Sequence, residues 1–404
     1  MIQVAILGYG TVGSGVAEVI ANHSGAIAAK VAKPIHIKYI LVRRDMPQGP
    51  FSDLFVKDFS VIEQDPDVQV VVETMGGTGA ALEYTRRALL AGKNVVTSNK
   101  ELVAEHGYEL LQLARSNNLS YLFEASVGGG IPIIRPISQC LAANDLTEIC
   151  GILNGTTNYI LTRMIRAGLS FEAALQEAQD KGYAERDPAA DVEGHDACRK
   201  ICILASLSFG RHIYPSQADT EGITNITLED VQYAGAGGKK IKLLGRALRR
   251  PDGKVCAYVA PHLVDEESPL ANVEDVFNGI VVKGDSIGDV MFYGRGAGKL
   301  PTASAVVADI MDAARHIESK KYVNWAPGGA DAAVSSESVA TGWYVRGVAR
   351  KEDAEKAFGD ISPLHRTGAP EGEIAFLTSS MTRAEAEEKS KKFEVKSLIR
   401  VLDV

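Results

Sequence analysis

With 404 residues, 46% of them hydrophobic and 23% charged, the chain has the composition of a globular protein large enough for two or three domains. Its net charge of −8 argues against nucleic acid or an anionic membrane as a partner. No apolar run approaches the length needed to cross a bilayer, and the chain enters a strand pattern at once with no basic leader, so the cytoplasm is the expected compartment.

Gln3 to Leu7 form a short apolar run, followed by Gly8-Tyr9-Gly10-Thr11-Val12-Gly13 and then by helical periodicity over Ser14 to Ala21. Glycines at this spacing are informative because they end a strand and open a helix. Gly8 permits the tight turn, Gly10 lets a pyrophosphate approach the backbone, and Gly13 lets the helix pack closely on the strand. The phosphate then rests on the free N–H groups of the helix N-terminus. The second strand, Ile35 to Val42, ends in Arg43-Arg44, where NAD-binding proteins place an acid for the ribose 2′-hydroxyl. A guanidinium instead fits a 2′-phosphate, so NADP(H) is the expected cofactor and NAD the alternative. Lys57 reads as a solvated lysine.

Strand and helix patterns alternate as far as about Ser126, with strands at Val68 to Glu73, Asn94 to Thr97 and Ser120 to Phe123 and helices at Ala80 to Ala91 and Tyr108 to Ser116. Such alternation means a parallel sheet with right-handed crossovers. The strand ending at Glu73 leads into Thr74-Met75-Gly76-Gly77, where a nicotinamide would lie, and the next delivers Thr97, Ser98 and Lys100 at its carboxyl end, facing the cofactor crevice. Glu124 to Pro132 is a glycine-dense turn with uncrowded carbonyls beside a carboxylate, which suits either a hard monovalent cation or a hinge.

From Val192 onward Ala197, Ile201, Leu204 and Ala205 recur at helical spacing, so Asp196 and Lys200 share a face, with Glu185 and Asp191 in an expected loop just upstream. An ordinary surface helix carries the same pair, and spacing alone leaves that alternative open. The five cysteines form no CxxC and read as buried reduced thiols.

The stretches GYGTVG, NVVTSNKELVAEHG, FEASVGGGIPII, GILNGTTNYILT, GYAERDP, DVEGHDACRK and GRGAGKLPTASAV follow in this order from roughly Ile2 to Asp309, and together they resemble homoserine dehydrogenase. The resemblance implies NAD(P)-linked interconversion of L-homoserine and L-aspartate 4-semialdehyde. It makes Lys200 the proton donor, supported by Asp196, and sets Lys100 beside the cofactor and the reacting oxygen. Glu185 and Asp191 become contacts of the substrate ammonium, and the turn holding Gly155 and Thr156 a cradle for its carboxylate, although a plain turn explains that segment as well. The cofactor set is Gly8, Gly10, Thr11, Val12, Gly13, Arg43, Arg44, Thr97, Ser98, Lys100 and Gly296. A sodium-like site uses Glu124 and the backbone at Val127, Gly129 and Ile131. An aldehyde under reduction develops oxyanion charge, which a protonated lysine both stabilises and discharges.

The implied architecture is α/β: a Rossmann-type NAD(P) domain over 1–130 plus about 294–320, where the chain returns to add a helix at its edge, and a mixed α+β catalytic and dimerisation domain over 131–293. A homodimer or homotetramer is expected. The tail at 338–404 reads as βαββαβ, a ferredoxin-like unit resembling an ACT regulatory domain, but Ala349-Arg350-Lys351-Glu352-Asp353 lacks the proline and glycine of that family's ligand-side turn. Two rivals fit less well. An aspartate-semialdehyde dehydrogenase needs a cysteine nucleophile with a histidine base, and here Cys198 and His195 flank the Asp196 and Lys200 of the other family. A non-catalytic NADP sensor would keep the glycines and arginines but not both lysines.

Overall fold

The computed structural model describes residues 1–318 and 323–402, which form two compact units. The first comprises 1–145, 202–215 and 294–329, and the second comprises 146–201, 216–293 and 330–404.

The first unit is built on a six-stranded sheet of β1 (Ile2–Leu7), β2 (Ile35–Leu41), β3 (Phe55–Val56), β4 (Val68–Glu73), β5 (Asn94–Thr97) and β6 (Tyr121–Leu122). Their order is β3-β2-β1-β4-β5-β6 and every pairing is parallel. The strands are buried on both faces, which is why they read as continuous valine and isoleucine runs. The returning helix Lys299–Arg315 lies on a face of this sheet rather than at its edge: Ala303, Val306 and Ile310 share one core with Val4, Ile6 and Val72. It also packs tightly on helix Thr11–Asn22, where a Cβ on Gly15 would come within 3.0 Å of Lys299 and Ala303.

One helix starts earlier than its periodicity suggests. It spans Lys100–Ser116, capped by the Asn99 side chain, which accepts from Leu102 N at 3.1 Å. Gly107 blurs the pattern, yet its missing side chain is required, because a Cβ there would lie 2.7 Å from the Trp325 ring.

The second unit carries a ten-stranded mixed sheet. Its strands are β7 (Leu146–Ile152), β8 (Asp219–Thr220), β9 (Lys239–Arg249), β10 (Val255–Asp265), β11 (Phe277–Gly284), β12 (Gly288–Arg295), β13 (Trp343–Val348), β14 (Ile361–Leu364), β15 (Glu373–Thr378) and β16 (Glu394–Val401). The main order is β12-β11-β7-β9-β10-β16-β13-β15-β14, with β8 on β10. The last four strands and helices Lys351–Phe358 and Arg383–Ser390 form a ferredoxin-like βαββαβ arrangement. The tail does not stand apart: β16 pairs with β10 at His262↔Arg400 and Leu263↔Val401, extending the same sheet.

Candidate active site

In the first unit the site is made largely of main chain. Gly8 has φ +96°, and a Cβ on Gly13 would sit 2.0 Å from the Gly8 carbonyl oxygen, so neither position accepts a side chain without rearrangement. A Cβ on Gly10 would meet nothing within 4 Å, which leaves that side of the turn open to a ligand. Thr11, Val12 and Gly13 supply first-turn N–H groups that no helical carbonyl can reach. This geometry fits a dinucleotide pyrophosphate.

Residues that the motif did not single out brace the turn. Thr74 Oγ1 donates to the carbonyls of Leu7 and Gly8 at 3.0 and 3.1 Å. Glu73, fully buried, accepts from Met75 N at 2.7 Å, Gly76 N at 3.2 Å and Thr97 Oγ1 at 2.6 Å. Burial pushes its carboxyl up from the ordinary glutamate range against those hydrogen bonds. Thr97 in turn accepts from Asn99 N at 2.9 Å, so its hydroxyl is an internal brace. Asn99 donates to Gly77 O at 2.7 Å and caps the helix that begins at Lys100, which is partly buried. Ser98 N reaches Glu73 O at 3.3 Å. One carboxylate therefore organises both loops at the carboxyl ends of β4 and β5.

Arg43 and Arg44 are exposed just beyond β2, while Lys57 forms an exposed pair with Asp45 at 2.6 Å. The glycine-dense turn docks on the returning segment: Gly129 has φ +58°, and a Cβ on it would lie 2.2 Å from Gly296 O. The Glu124 carboxylate is already engaged. It accepts from the N–H groups of Ile133, Ile134 and Arg135 at 2.6, 2.8 and 2.9 Å. Among the described residues no cluster of three or more His, Cys, Asp or Glu side chains is arranged to hold a metal.

In the second unit the site is made of side chains. Asp196 and Lys200 are 5% and 8% exposed, which rules out the ordinary surface-helix reading. Lys200 Nζ lies 2.8 Å from Asp196 Oδ2 and donates to Leu153 O at 2.8 Å. The carrying helix spans His195–Phe209, and Gly194, at φ +87°, breaks it from the short helix Ala189–Val192, so Asp191 sits on a helical turn rather than in a loop.

Asn154 ties this group together, and its role was not visible in the motif. Its Nδ2 donates to Asp191 Oδ1 at 2.7 Å and Asp196 Oδ2 at 2.9 Å, while its Oδ1 accepts from Thr157 N at 2.8 Å, capping helix Gly155–Ala167. Burial raises the Asp191 carboxyl above its ordinary range, and neighbouring Asp196 adds to this while Asn154 opposes it. Gly155 closes on Val276, whose carbonyl oxygen would be 2.8 Å from an added Cβ, and Thr156 Oγ1 donates to Tyr183 O at 2.8 Å. Glu185 is exposed, and its main-chain carbonyl accepts from Gln179 at 3.1 Å. Lys100 and Lys200 belong to different units.

The cysteine expectation needs one correction. All five are free, but Cys140 is exposed. Burial pushes Cys150 up to about 12 and Cys256 up to about 11, so both stay thiols. His195 is exposed and faces Glu193 at 3.2 Å, whereas Cys198 is buried, an arrangement unlike a cysteine nucleophile with a histidine base.

Two family models match the chain, "Homoserine dehydrogenase, NAD binding domain" over residues 8–124 and "Homoserine dehydrogenase" over 132–311. The chain belongs to the homoserine dehydrogenase family. It is 43% identical over 315 residues to the homoserine dehydrogenase of Bacillus subtilis, covering 77% of this chain and 72% of that protein. Identity to that of Neisseria gonorrhoeae is 44% over 321 residues, covering 79% and 73%. The crystal structure of a homoserine dehydrogenase from Thiobacillus denitrificans superposes with a TM-score of 0.91 at 34% identity, over 100% of this chain and 98% of that one. A hyperthermophilic archaeal homoserine dehydrogenase in complex with NADPH gives 0.68 at 27% identity, over 80% and 99%. This homoserine dehydrogenase family member is therefore an NAD(P)-dependent oxidoreductase of threonine, methionine and isoleucine biosynthesis, interconverting L-homoserine and L-aspartate 4-semialdehyde. Among the described residues no helix is long and apolar enough to cross a membrane.

Proposed function

We propose that Lys200 is the proton donor of this reaction, that NADP(H) is preferred over NAD, and that the substrate rests on the carboxylates around Asn154. The observation that carries the reading is the buried pair at 2.8 Å: Asp196 and the Leu153 carbonyl take two hydrogens of a charged Nζ and leave one for the reacting oxygen. When bound, the nicotinamide supplies or accepts the hydride at the aldehyde carbon. Lys200 stabilises the developing oxyanion and delivers its proton, and Asp196 holds the ammonium in position. Asp191 and Glu185 pair with the substrate ammonium, and the turn at Gly155 and Thr156 receives its carboxylate. Lys100, at the end of β5, adds positive charge on the cofactor side. The cofactor rests on Gly8 to Gly13 with Ser98, Thr97 and Gly296 nearby.

Arg43 and Arg44 support NADP(H), because they stand exposed where a 2′-phosphate would be met. A sodium-like ion would be held by Glu124 and the backbone at Val127, Gly129 and Ile131. The domain reading keeps 1–130 with about 294–320 for the nucleotide, 131–293 for catalysis and dimerisation in a cytoplasmic homodimer or homotetramer, and 338–404 as an ACT-like module. Nicotinamide absorbance with L-homoserine and each cofactor in turn tests the reading: turnover with a lower KM for NADP is expected, and an equal or lower KM for NAD overturns the cofactor choice.

A further inference from the structure

Glu73 and Thr97 stand opposite one another as the last residues of β4 and β5, and both side chains are fully buried. A carboxyl group in such a place is costly unless its oxygens find donors. Both do. Oε1 accepts from the N–H groups of Met75 and Gly76 at 2.7 and 3.2 Å, and Oε2 accepts from the Thr97 hydroxyl at 2.6 Å. With the Thr97 hydrogen directed at Glu73, the Thr97 oxygen accepts from Asn99 N at 2.9 Å. Asn99 then acts at both of its side-chain ends: Nδ2 donates to Gly77 O at 2.7 Å, and Oδ1 accepts from Leu102 N at 3.1 Å, capping helix Lys100–Ser116. The bonds run one way, from the Asn99 main chain to Thr97 and on to Glu73.

This chain holds segments that side-chain packing does not. Gly76 and Gly77 are consecutive left-handed residues at φ +78° and +69°, and a Cβ on either would meet nothing within 4 Å. Their fixed points are the bonds from Gly76 N to Glu73 and from Asn99 to Gly77 O. Lys100 is the first residue of its helix, so its main chain follows the cap made by Asn99.

We propose that Glu73 is a positioning residue for the chemical step, acting through Thr97 and Asn99 on Lys100. The proposal rests on the active-site reading of Lys100. An amide of the same shape cannot take over this role. In Glu73→Gln the amide oxygen can keep Met75 and Gly76, but its NH2 then faces Thr97 Oγ1 and turns the hydroxyl hydrogen out of the chain. With the amide reversed, the NH2 meets two N–H donors instead. Either orientation disturbs the order that ends at Asn99 with almost no change in volume. The glycine turn at Gly8 has a separate brace in the Thr74 hydroxyl, which donates to the carbonyls of Leu7 and Gly8, so cofactor affinity is expected to persist.

Steady-state rates of the full chain with L-homoserine at saturating NADP test this, with each variant first shown to bind NADPH. Glu73→Gln should lower kcat by about 10- to 100-fold, the scale of a misplaced catalytic group, and leave the KM for L-homoserine within about threefold. Lys100→Met supplies the second arm. If Glu73 acts through Lys100, adding Glu73→Gln to Lys100→Met should cost less than about a further twofold. Losses that multiply in the double variant overturn the proposal, as does a raised KM at unchanged kcat or a Glu73→Gln enzyme with wild-type kcat. A wild-type kcat in Lys100→Met alone removes the reading of Lys100 and the proposal with it, which separates the two failures. If Glu73→Gln does not fold, Thr97→Val interrupts the same chain by removing the hydroxyl, and it must give the same loss of kcat and the same non-additivity with Lys100→Met.

Discussion

In the first unit the proposed binding surface is main chain, shaped by side chains that are missing at Gly8, Gly10 and Gly13; in the second it is a knot of charged and amide side chains around Asn154. The two fail in different ways. A backbone cradle is broken by added atoms and tolerates most changes elsewhere, because the helix N–H groups stay where they are. A side-chain knot is broken by removing one charge or one donor, because the partner left behind is buried.

The sharpest test removes the charge. Lys200→Ala should lower kcat by about 10²–10⁴-fold while cofactor affinity and fold persist, since general acid catalysis carries that magnitude. It strands Asp196, so Asp196→Asn with Lys200→Ala provides a control for stability. If kcat stays above about a tenth of wild type, the donor is another group.

The complementary test adds atoms. Gly13→Ala places a Cβ 2.0 Å from Gly8 O and 2.8 Å from Thr74 Oγ1, so the turn must open. Overpacking of this kind costs about 1–3 kcal/mol, and a displaced cradle should raise the cofactor Kd by about tenfold or more. Gly10→Ala, with nothing within 4 Å of its new Cβ, should keep the apo stability and lose affinity only through contact with the ligand. Equal loss of stability in both variants would show that the open side of Gly10 is not a ligand face.

How far each region could be read from sequence follows the same division. The nucleotide unit was legible because buried parallel strands and a glycine turn leave local signatures, and five of its six strands fall where alternation and hydrophobic runs indicated or beside them. Only β3, two residues long, gave no signal. The acidic turn was legible as a list of residues but not as a network. Asn154 lies 37 and 42 residues from its partners Asp191 and Asp196, and no periodicity reports such a pairing. Glu73 was read as the end of a strand, because nothing local tells a buried carboxylate from an exposed one. The tail's strands were legible, but the pairing of β16 with β10, which makes one sheet of two expected modules, depends on only two residue pairs.

A smaller effect is expected at the arginines. Replacing Arg43 with Asp and Arg44 with Gly should weaken NADP about tenfold more than NAD, since hydrogen bonds to charged groups are worth about 1.5–3 kcal/mol and the new acid repels a 2′-phosphate. Measured Kd values that rise equally for both cofactors would leave these exposed residues with no role in discrimination.

Smaller again is the pH effect. Burial holds the Asp191 carboxyl above the ordinary aspartate value of about 3.9, so as pH falls it becomes protonated before an exposed aspartate would. The ionised form is the one that pairs with the substrate ammonium. KM for L-homoserine should therefore rise on acidification, beginning above that ordinary value, and Asp191→Asn should show a high KM with this rise removed. A wild-type KM that is flat across the acid limb would detach Asp191 from the ammonium.

The smallest expected effect is that of threonine. A ferredoxin-like tail on a homoserine dehydrogenase invites feedback inhibition, but an ACT-type ligand turn needs a tight bend with free N–H groups, which glycine permits. Here the chain passes from Val348 to helix Lys351–Phe358 through Ala349 and Arg350, none at positive φ. Part of the turn's N–H capacity is already used: Ala349 N donates to Gly372 O at 3.1 Å, and Asp353 N and Ala354 N donate to Arg350 O at 3.1 and 3.2 Å. Arg350 is itself paired with Asp353 at 2.9 Å. The tail's firm attachment is elsewhere, through β16 on β10 and through Arg346, which is bound to Asp230 at 2.7 Å. It is therefore expected to serve assembly and support of the sheet, with weak or absent inhibition when threonine is titrated into the assay. Strong inhibition at sub-millimolar threonine, abolished by deleting Ser338 to Val404 from a still-active enzyme, would show that the tail binds its effector without a glycine turn.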